Sequence, residues 1–301
     1  MYNNRTLKEK RSLRFTANKI GITYCLTIIA YIIITAFIPT NKSTLNLHML
    51  VQMLCFFLAS FFLIKISPSE SKFMILFRKP KKYFSQYIIV GIPLCLLASI
   101  ITNVISKWLQ SRHIYSLQPS ILNQPELLIF VVLGAPFVEE FVYRGAILGL
   151  LRKYGDGFSI FISAFIFGLT HSNIEQFVYA FLIGLYFGFI VIKTKSLWTS
   201  IFLHALMNTF SFISVTSHFA ENYTLNYLLG LFQLVITFVA ICFFIRCKTL
   251  DSDFFSFSSL RRRKTSLSLS ERLSAVVLNP GVLLMLFYII YSFINLGWIE
   301  S

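Results

Sequence analysis

The sequence predicts an all-α, polytopic membrane helical bundle of about nine transmembrane helices. Of its 301 residues, 56% are hydrophobic and only 13% are charged, and the mean hydropathy is +0.72. Soluble domains carry about 25% charged residues, so this composition belongs to the multi-spanning membrane class. Apolar runs of about 18 residues or more recur along the chain, and each is long enough to cross the hydrocarbon core as a helix.

Nine predicted spans alternate with polar or basic loops. The first follows a basic head without a cleavable signal, so we expect it to be retained as a helix. The fifth is short, which requires neighbouring helices and a polar pocket to shelter its ends. The predicted spans are 20–38, 49–66, 87–106, 127–151, 158–171, 174–192, 197–214, 225–246 and 279–298.

The basic residues predict the orientation of the chain. The net charge of +15 would favour a nucleic-acid partner in a soluble protein, but here we expect none. With the N-terminus in the cytoplasm, 23 of the 27 Lys and Arg residues fall in cytoplasmic segments and three fall in outside loops. This asymmetry follows the positive-inside rule. We therefore expect a multi-pass protein of the cell membrane with a cytoplasmic N-terminus and, after nine spans, an outside C-terminus.

Two other features of the sequence carry no defined chemistry. The loop 247–278 is Ser-rich and has a basic run at 261–264, which favours either a topogenic loop or a patch that binds lipid headgroups. The five cysteines have no metal-ligand spacing and no disulfide framework, so we interpret them as small buried residues. These cysteines are Cys25, Cys55, Cys95, Cys242 and Cys247.

The fourth span contains three ionisable residues within an otherwise apolar run. Each such charge costs about 2.5–3.5 kcal/mol near the bilayer centre, so Glu139, Glu140 and Arg144 require a reason. Glu140 and Arg144 are four residues apart, which allows them to pair on one helix face. Glu139 lies about 100° around the helix and has no partner in its own segment. The cluster indicates either an ion pair that orients helices or a catalytic carboxylate in a water-accessible pocket.

Two histidines and an asparagine lie in the spans that follow. A rise of about 1.5 Å per residue places Glu140, His171 and Asn208 roughly 16–20 Å from the cytoplasmic surface, and His204 about 10 Å from it. His204 and Asn208 share a helix face, as do Phe167 and His171. A single histidine in a span is more often an interhelical hydrogen-bonder. Two histidines, an amide and an unpaired carboxylate at a similar depth predict one shared site.

These residues form three motifs that resemble those of the CPBP (CAAX protease and bacteriocin-processing, or Abi) family of intramembrane proteases. Every motif position is filled, and the resemblance covers residues 125 to 214. It divides the chain into a head with three spans (1–126), a catalytic core (127–214) and a C-terminal part with two spans (215–301). The motifs are Glu139-Glu140-Phe-Val-Tyr-Arg144, Phe167-Gly-Leu-Thr-His171 and His204-Ala-Leu-Met-Asn208.

The resemblance implies an all-helical fold and hydrolysis of a peptide bond within the membrane. It also assigns a role to each motif residue. Those roles are general base and partner for a water molecule (Glu139 and His171), oxyanion stabilisation (His204 and Asn208) and shaping of the pocket (Glu140 with Arg144).

The sequence leaves the metal dependence open. Glu139, His171 and His204 match a catalytic zinc set of three ligands and one water. The sequence has no His-Glu-x2-His motif, however, and a glutamate–histidine pair can activate water without metal. We therefore expect no obligatory metal cofactor, with zinc as the alternative.

Three functions remain open at this point. The first is an intramembrane endopeptidase acting on a membrane-associated peptide or protein, in bacteriocin or pheromone processing or in bacteriocin immunity. The second is a non-catalytic membrane scaffold or immunity protein that keeps the fold. The third is a proton-coupled transporter, although the inverted repeats typical of transporters are not visible. The sequence determines neither the substrate nor the oligomeric state, and its partners are the substrate and the lipid bilayer.

Overall fold

A computed structural model describes residues 4–40, 44–67, 77–80, 83–108, 128–171, 174–219, 221–257, 260 and 265–299. Within these ranges the chain is helical and contains no strand. The helices, numbered in chain order, are α1 (Asn4–Thr35), α2 (Leu45–Lys65), α3 (Phe84–Trp108), α4 (128–151), α5 (Asp156–Leu169), α6 (Ile174–Thr194), α7 (Leu197–Phe219), α8 (Tyr223–Leu250), α9 (Leu269–Val277) and α10 (Pro280–Ile299).

A helix occupies each predicted span, although the count of nine transmembrane helices is not confirmed. Five helices of the described chain (α1, α2, α3, α6 and α8) are long and apolar enough to cross a membrane. A sixth span results if α9 and the start of α10, bent by 67°, are counted as one. Three further helices in predicted spans are not among these five, each for a local reason. Helix α4 changes its helical type, α5 has only 14 residues, and α7 carries many polar residues. The chain is a multi-pass membrane protein.

Two predicted loops contain helix in the structure. The basic head belongs to α1, which begins at Asn4 and continues without a break into the first span. The predicted 247–278 loop contains α9, whose start is stabilised by a reciprocal capping box between Ser268 and Glu271. The basic run at 261–264 and the domain boundary predicted at 126/127 lie outside the described residues.

The best-buried part of the molecule is the group of helices α4, α5 and α6. All eight residues from Phe141 to Leu148 are buried, and α5 packs along α6. A Cβ atom added at Gly184 or Gly188 of α6 would lie 3.1 Å from Ala164 or Ile160 of α5, so these glycines allow the close approach of the two helices. By contrast, only 6% of the apolar window of α8 is buried, as expected for a helix that faces lipid.

Candidate active site

The two glutamates lie between two π-helical stretches of α4. Phe130–Gly134 and Phe141–Leu148 are π-helical, and Ala135–Glu140 between them is α-helical. Gly134 and Glu140 both keep right-handed helical dihedral angles, so the helix continues through both junctions. A π-helix closes hydrogen bonds over five residues and is found frequently at functional sites. The wider turns change the direction of the side chains that follow. The directions of these side chains therefore cannot be calculated from a regular spacing of about 100° per residue.

Glu140 connects α4 to α7. Arg144 Nη1 donates a hydrogen bond of 2.9 Å to Glu140 Oε1, and both side chains are fully buried. His204 Nδ1 donates to the same oxygen over 3.0 Å. The ion pair between positions 140 and 144 that the sequence predicts is therefore present, and an imidazole from a distant helix joins it.

Two aromatic rings and a glycine enclose the Arg144 guanidinium. Its central carbon lies 4.3 Å from the centroid of the Phe167 ring and 5.3 Å from that of Phe187, which are cation–π distances. A Cβ atom at Gly184 would lie 3.1 Å from Arg144 Nη2. No pattern in the sequence assigns Gly184 or Phe187 to the site.

Glu139 finds its partner on α7. The distance from His204 Nε2 to Glu139 Oε2 is 3.7 Å, and the Glu139 side chain is 33% exposed. The His204 ring thus lies between two consecutive carboxylates, one fully buried and one accessible. This accessibility suits Glu139, and not Glu140, for contact with water or substrate.

His171 packs edge-on against the Phe167 ring. Its Nδ1 atom is 2.8 Å from the Phe167 carbonyl oxygen, and a carbonyl oxygen only accepts, so Nδ1 carries the proton and Nε2 of the neutral ring is an acceptor. The Phe167 ring centroid is 4.9 Å from that of His171 and 5.9 Å from that of His204. Glu139 and His204 are also close enough to interact electrostatically with His171.

Asn208 contacts the backbone of α4. Its Nδ2 atom donates to the Val131 carbonyl oxygen over 2.8 Å, and Val131 belongs to the first π-helical stretch. In the second stretch, the Tyr143 carbonyl oxygen accepts a 2.7 Å hydrogen bond from Ser163 Oγ of α5. Each π-helical stretch is therefore held by a side chain from another helix. One N–H of the Asn208 amide is used in this way, and neither Ser163 nor this role of Asn208 is evident from the sequence.

Among the residues that the structure describes, no three His, Cys, Asp or Glu side chains are grouped so that they could hold one ion. This includes the set of Glu139, His171 and His204 that the sequence offers as the zinc alternative. As placed, these described side chains do not fit a resident metal ion.

The comparison with protein families falls on the same part of the chain. Residues 122–210 match the Rce1-like family of type II CAAX prenyl endopeptidases. The putative membrane peptidase YdiL of Bacillus subtilis is 31% identical over 102 residues, which are 34% of this chain and 42% of YdiL. The membrane-embedded CAAX protease MroQ of Staphylococcus aureus is 26% identical over 180 residues, 53% of this chain and 71% of MroQ.

A third relative, the UPF0177 protein YaiF of Lactococcus lactis, is 26% identical over 133 residues, 40% of this chain and 60% of YaiF. No solved structure matches the chain. The match to YdiL spans less than half of the length of that protein. Residues 122–210, which match the family, contain all three motifs and the contacts that join α4 to α7. On this agreement, residues 122–210 are similar to the protease domain of the CPBP family.

Proposed function

We propose that this protein is an intramembrane endopeptidase that hydrolyses a peptide bond in a membrane-associated peptide or protein. The observation that supports it most directly is the position of His204, which contacts Glu139 and Glu140 from a helix 64 residues further along the chain. An accessible carboxylate, two imidazoles and a fully buried ion pair at one place form a site for acid–base chemistry on water. The family match and the names of YdiL and MroQ support the same class of reaction.

In the proposed reaction, Glu139 is the general base. It takes a proton from a water molecule while the water oxygen attacks the carbonyl carbon of the scissile peptide bond. His171 orients the water. Its Nδ1–H donates a hydrogen bond to the Phe167 carbonyl oxygen, so its Nε2 atom is available to accept a hydrogen bond from the second O–H of that water. A positioned base of this kind contributes about 10²- to 10⁴-fold to the rate.

The tetrahedral intermediate carries a negative oxygen that needs hydrogen-bond donors. As an imidazolium, His204 donates Nδ1–H to Glu140 and can donate Nε2–H to this oxygen. The Asn208 N–H that does not bind Val131 supplies a second donor. Collapse of the intermediate breaks the C–N bond, and Glu139 delivers its proton to the leaving nitrogen. The net change is the addition of one water across the amide.

The experiment that tests this function is a comparison of processed peptides in the native host. A strain carrying Glu139→Gln in place of the wild-type gene should accumulate an unprocessed precursor, with processing reduced by about 10²-fold or more. Mass spectrometry of membrane and secreted peptides measures this, and co-purification with the Glu139→Gln protein identifies the precursor. We propose bacteriocin or pheromone precursors as the substrate class.

Glu221→Gln is the matched control, because Glu221 is exposed in the turn before α8 and its loss should leave processing unchanged. Wild-type processing by both Glu139→Gln and His171→Ala would contradict the protease proposal. If the same two variants kept a bacteriocin-immunity phenotype, a non-catalytic role would replace it. Proton-coupled uptake that Glu139→Gln abolishes, without any change in peptides, would favour transport.

Metal removal gives a separate prediction. We expect the purified, active protein to contain clearly less than one zinc ion per chain by elemental analysis and to keep its activity after dialysis against a chelator. The described residues offer no three-ligand cluster, and a catalytic zinc site uses three protein ligands. Loss of activity on chelation and its recovery with zinc would contradict this prediction.

A further inference from the structure

A cavity of about 1000 Å³ lies beside the candidate site, between α3, α6, α7 and α8. A helix about 10–12 Å wide and 5.4 Å per turn would occupy this volume with roughly two turns. The volume of the cavity therefore matches a short segment of polypeptide. Glu139, His171 and His204 do not line it, so it is distinct from the place where water would be activated.

The cavity is contiguous with the site along one face of α7. Met207 and Asn208 line it, and they follow His204 by three and four residues, one helical turn. Ser211 and Ser214, which also line the cavity, continue the same face. Asn208 connects the two regions, because it lines the cavity and donates to Val131 of α4. The part of the cavity wall formed by Met207 and Asn208 therefore lies one helical turn from His204 along α7.

The walls of the cavity combine apolar side chains with hydrogen-bonding groups at membrane depth. Thr102 of α3 is 8% exposed, and its hydroxyl has no hydrogen-bond partner among the described residues. Asn103 of the same helix and Gln233 and Thr237 of α8 also line the cavity. A buried polar group without a partner is unfavourable, so Thr102 favours an occupant with hydrogen-bonding groups of its own, and the other three side chains can bond to the same occupant.

A polypeptide backbone has this property, and a lipid acyl chain does not. Each residue of an extended chain presents one N–H and one C=O group. In a membrane, backbone that is not helical is tolerated only where protein or water satisfies these groups. A peptide bond must also leave the helical hydrogen-bond ladder before water can attack it. The polar groups of α3 and α8 are placed to satisfy such an unwound segment.

We propose that this cavity binds an unwound segment of the polypeptide substrate next to the scissile bond, with Thr102, Asn103, Gln233 and Thr237 bonding to its backbone. The proposal rests on the endopeptidase function and adds the conformation and the location of the bound substrate. It places substrate specificity on α3 and α8, outside the segment that carries the three motifs.

Photo-crosslinking in the Glu139→Gln protein, reconstituted in lipid nanodiscs, tests this without requiring cleavage. A photoreactive amino acid replaces Gln233 or, as the matched control, Phe238, which is 69% exposed on the same helix and does not line the cavity. The probe is a synthetic membrane-spanning Leu/Ala peptide with a central Gly-Pro-Gly segment. We expect crosslinking at position 233 to exceed that at 238 by about tenfold, a difference of about 1.4 kcal/mol.

An all-Leu peptide of the same length and a photoreactive diacyl lipid are the two further probes. The all-Leu peptide should crosslink weakly at position 233, because its backbone bonds are satisfied within its own helix. Equal labelling at 233 and 238 by every peptide would overturn the proposal. Efficient labelling of position 233 by the lipid would also overturn the proposal if an excess of the Gly-Pro-Gly peptide did not reduce that labelling, because the cavity would then be a lipid site.

Kinetics with a cleavable substrate gives a second measurement. The double variant Gln233→Leu/Thr237→Val should raise KM by about tenfold with kcat little changed, as expected for lost ground-state binding. If wild-type protein cleaves nothing but the Gly-Pro-Gly peptide still crosslinks at position 233, the endopeptidase function fails and the binding site stands. If Glu139-dependent cleavage occurs without crosslinking and without a KM effect, the proposed binding site fails and the endopeptidase function stands.

Discussion

A single oxygen atom, Glu140 Oε1, is the shared hydrogen-bond acceptor at the candidate active site. It accepts hydrogen bonds from Arg144 of its own helix and from His204 of α7. Spacing along the helix was sufficient to predict the first bond. The second joins residues 64 positions apart, and no local pattern specifies it. Since the Glu140 side chain is fully buried, its charge depends on such neighbours for compensation.

Removing one partner of this ion pair should destabilise the fold strongly. Arg144→Met removes the guanidinium partner of the buried Glu140 carboxylate, and we expect the free energy of unfolding to fall by about 3–5 kcal/mol. Equilibrium unfolding in mixed detergent micelles measures this. The double variant Glu140→Met/Arg144→Met should recover part of the loss, because it removes both charges. Lys107→Met, at an exposed charge near the end of α3, should change stability by no more than about 0.5 kcal/mol.

Asn208 shows how a residue assignment changes once its neighbours are known. The motif resemblance assigns it to oxyanion stabilisation, and that remains a proposal. In the structure its amide also holds the Val131 carbonyl oxygen, which links α7 to the first π-helical stretch. A loss of activity in an Asn208 variant would therefore combine lost stabilisation of the oxyanion with displacement of α4.

At the scale of elements, α4 is the helix whose geometry differs most from a regular span. Its two π-helical stretches flank Ala135–Glu140 and alter the direction of the side chains after Glu140. A sequence periodicity of 3.6 residues cannot show this, because the extra residue in the turn depends on contacts with other helices. Ser163 of α5, which binds the Tyr143 carbonyl oxygen, is one of these contacts.

Ser163→Ala should destabilise the second π-helical stretch. The Tyr143 carbonyl oxygen loses a buried hydrogen bond from another helix, so we expect a loss of about 1–3 kcal/mol in unfolding free energy and a lower activity. Thr27→Val is the control. Thr27 is also buried, but its hydroxyl binds the Thr23 carbonyl oxygen within its own helix. Unfolding and cleavage assays on both variants check the prediction, and equal losses would contradict it.

The contact between α6 and α4 gives another prediction. Gly184→Ala would bring a Cβ atom to 3.1 Å from both Arg144 Nη2 and Ala164 Cβ. We expect overpacking to cost about 1–3 kcal/mol of stability and to displace the guanidinium, with a loss of activity. At Gly230 of α8 nothing lies within 4 Å of the added atom. Gly230→Ala should therefore be neutral or raise stability by up to about 1 kcal/mol, as measured by thermal unfolding.

At the scale of the whole molecule, the segment after α8 ties distant helices together near their ends. Asp251 accepts a hydrogen bond from the Tyr83 hydroxyl at the start of α3. The Phe254 carbonyl oxygen accepts one from Tyr87 over 2.5 Å, and the Asp253 carbonyl oxygen accepts one from Lys193 of α6 over 2.9 Å. The helices on one side of the cavity are thereby connected to α6 of the motif-bearing domain.

The Tyr83–Asp251 bond predicts a dependence of stability on alkaline pH. The hydrogen bond to the carboxylate raises the pKa of Tyr83 to about 12, whereas an unfolded tyrosine has a pKa of about 10. A raised pKa stabilises the fold fully below about pH 10, and this contribution is lost as the pH rises through about 12. Thermal unfolding in detergent should therefore show a steeper decline between these pH values for wild type than for Tyr83→Phe. Parallel curves would contradict this.

The orientation of the chain is a further prediction. With the N-terminus in the cytoplasm, the turn before α8 faces outside and the turn between α6 and α7 faces inside. In a cysteine-free background, Glu221→Cys should react with a membrane-impermeant thiol reagent added to intact cells. Lys195→Cys should react only after the membrane is opened. Both residues are exposed in the structure, so each can react when the reagent reaches it. The opposite labelling pattern would contradict the orientation that the positive-inside rule predicts.

The sequence alone determined the helical membrane class, the approximate positions of the apolar helices and the short set of polar residues, because these depend on composition, run length and spacing along one helix. It also predicted the Glu140–Arg144 pair for the same reason. Only the tertiary structure decided that His204 lies between the two glutamates, that Phe167, Phe187 and Gly184 enclose Arg144, and that α4 is partly π-helical. These features arise between helices, where packing and buried hydrogen bonds bring together residues that no periodicity along the chain connects.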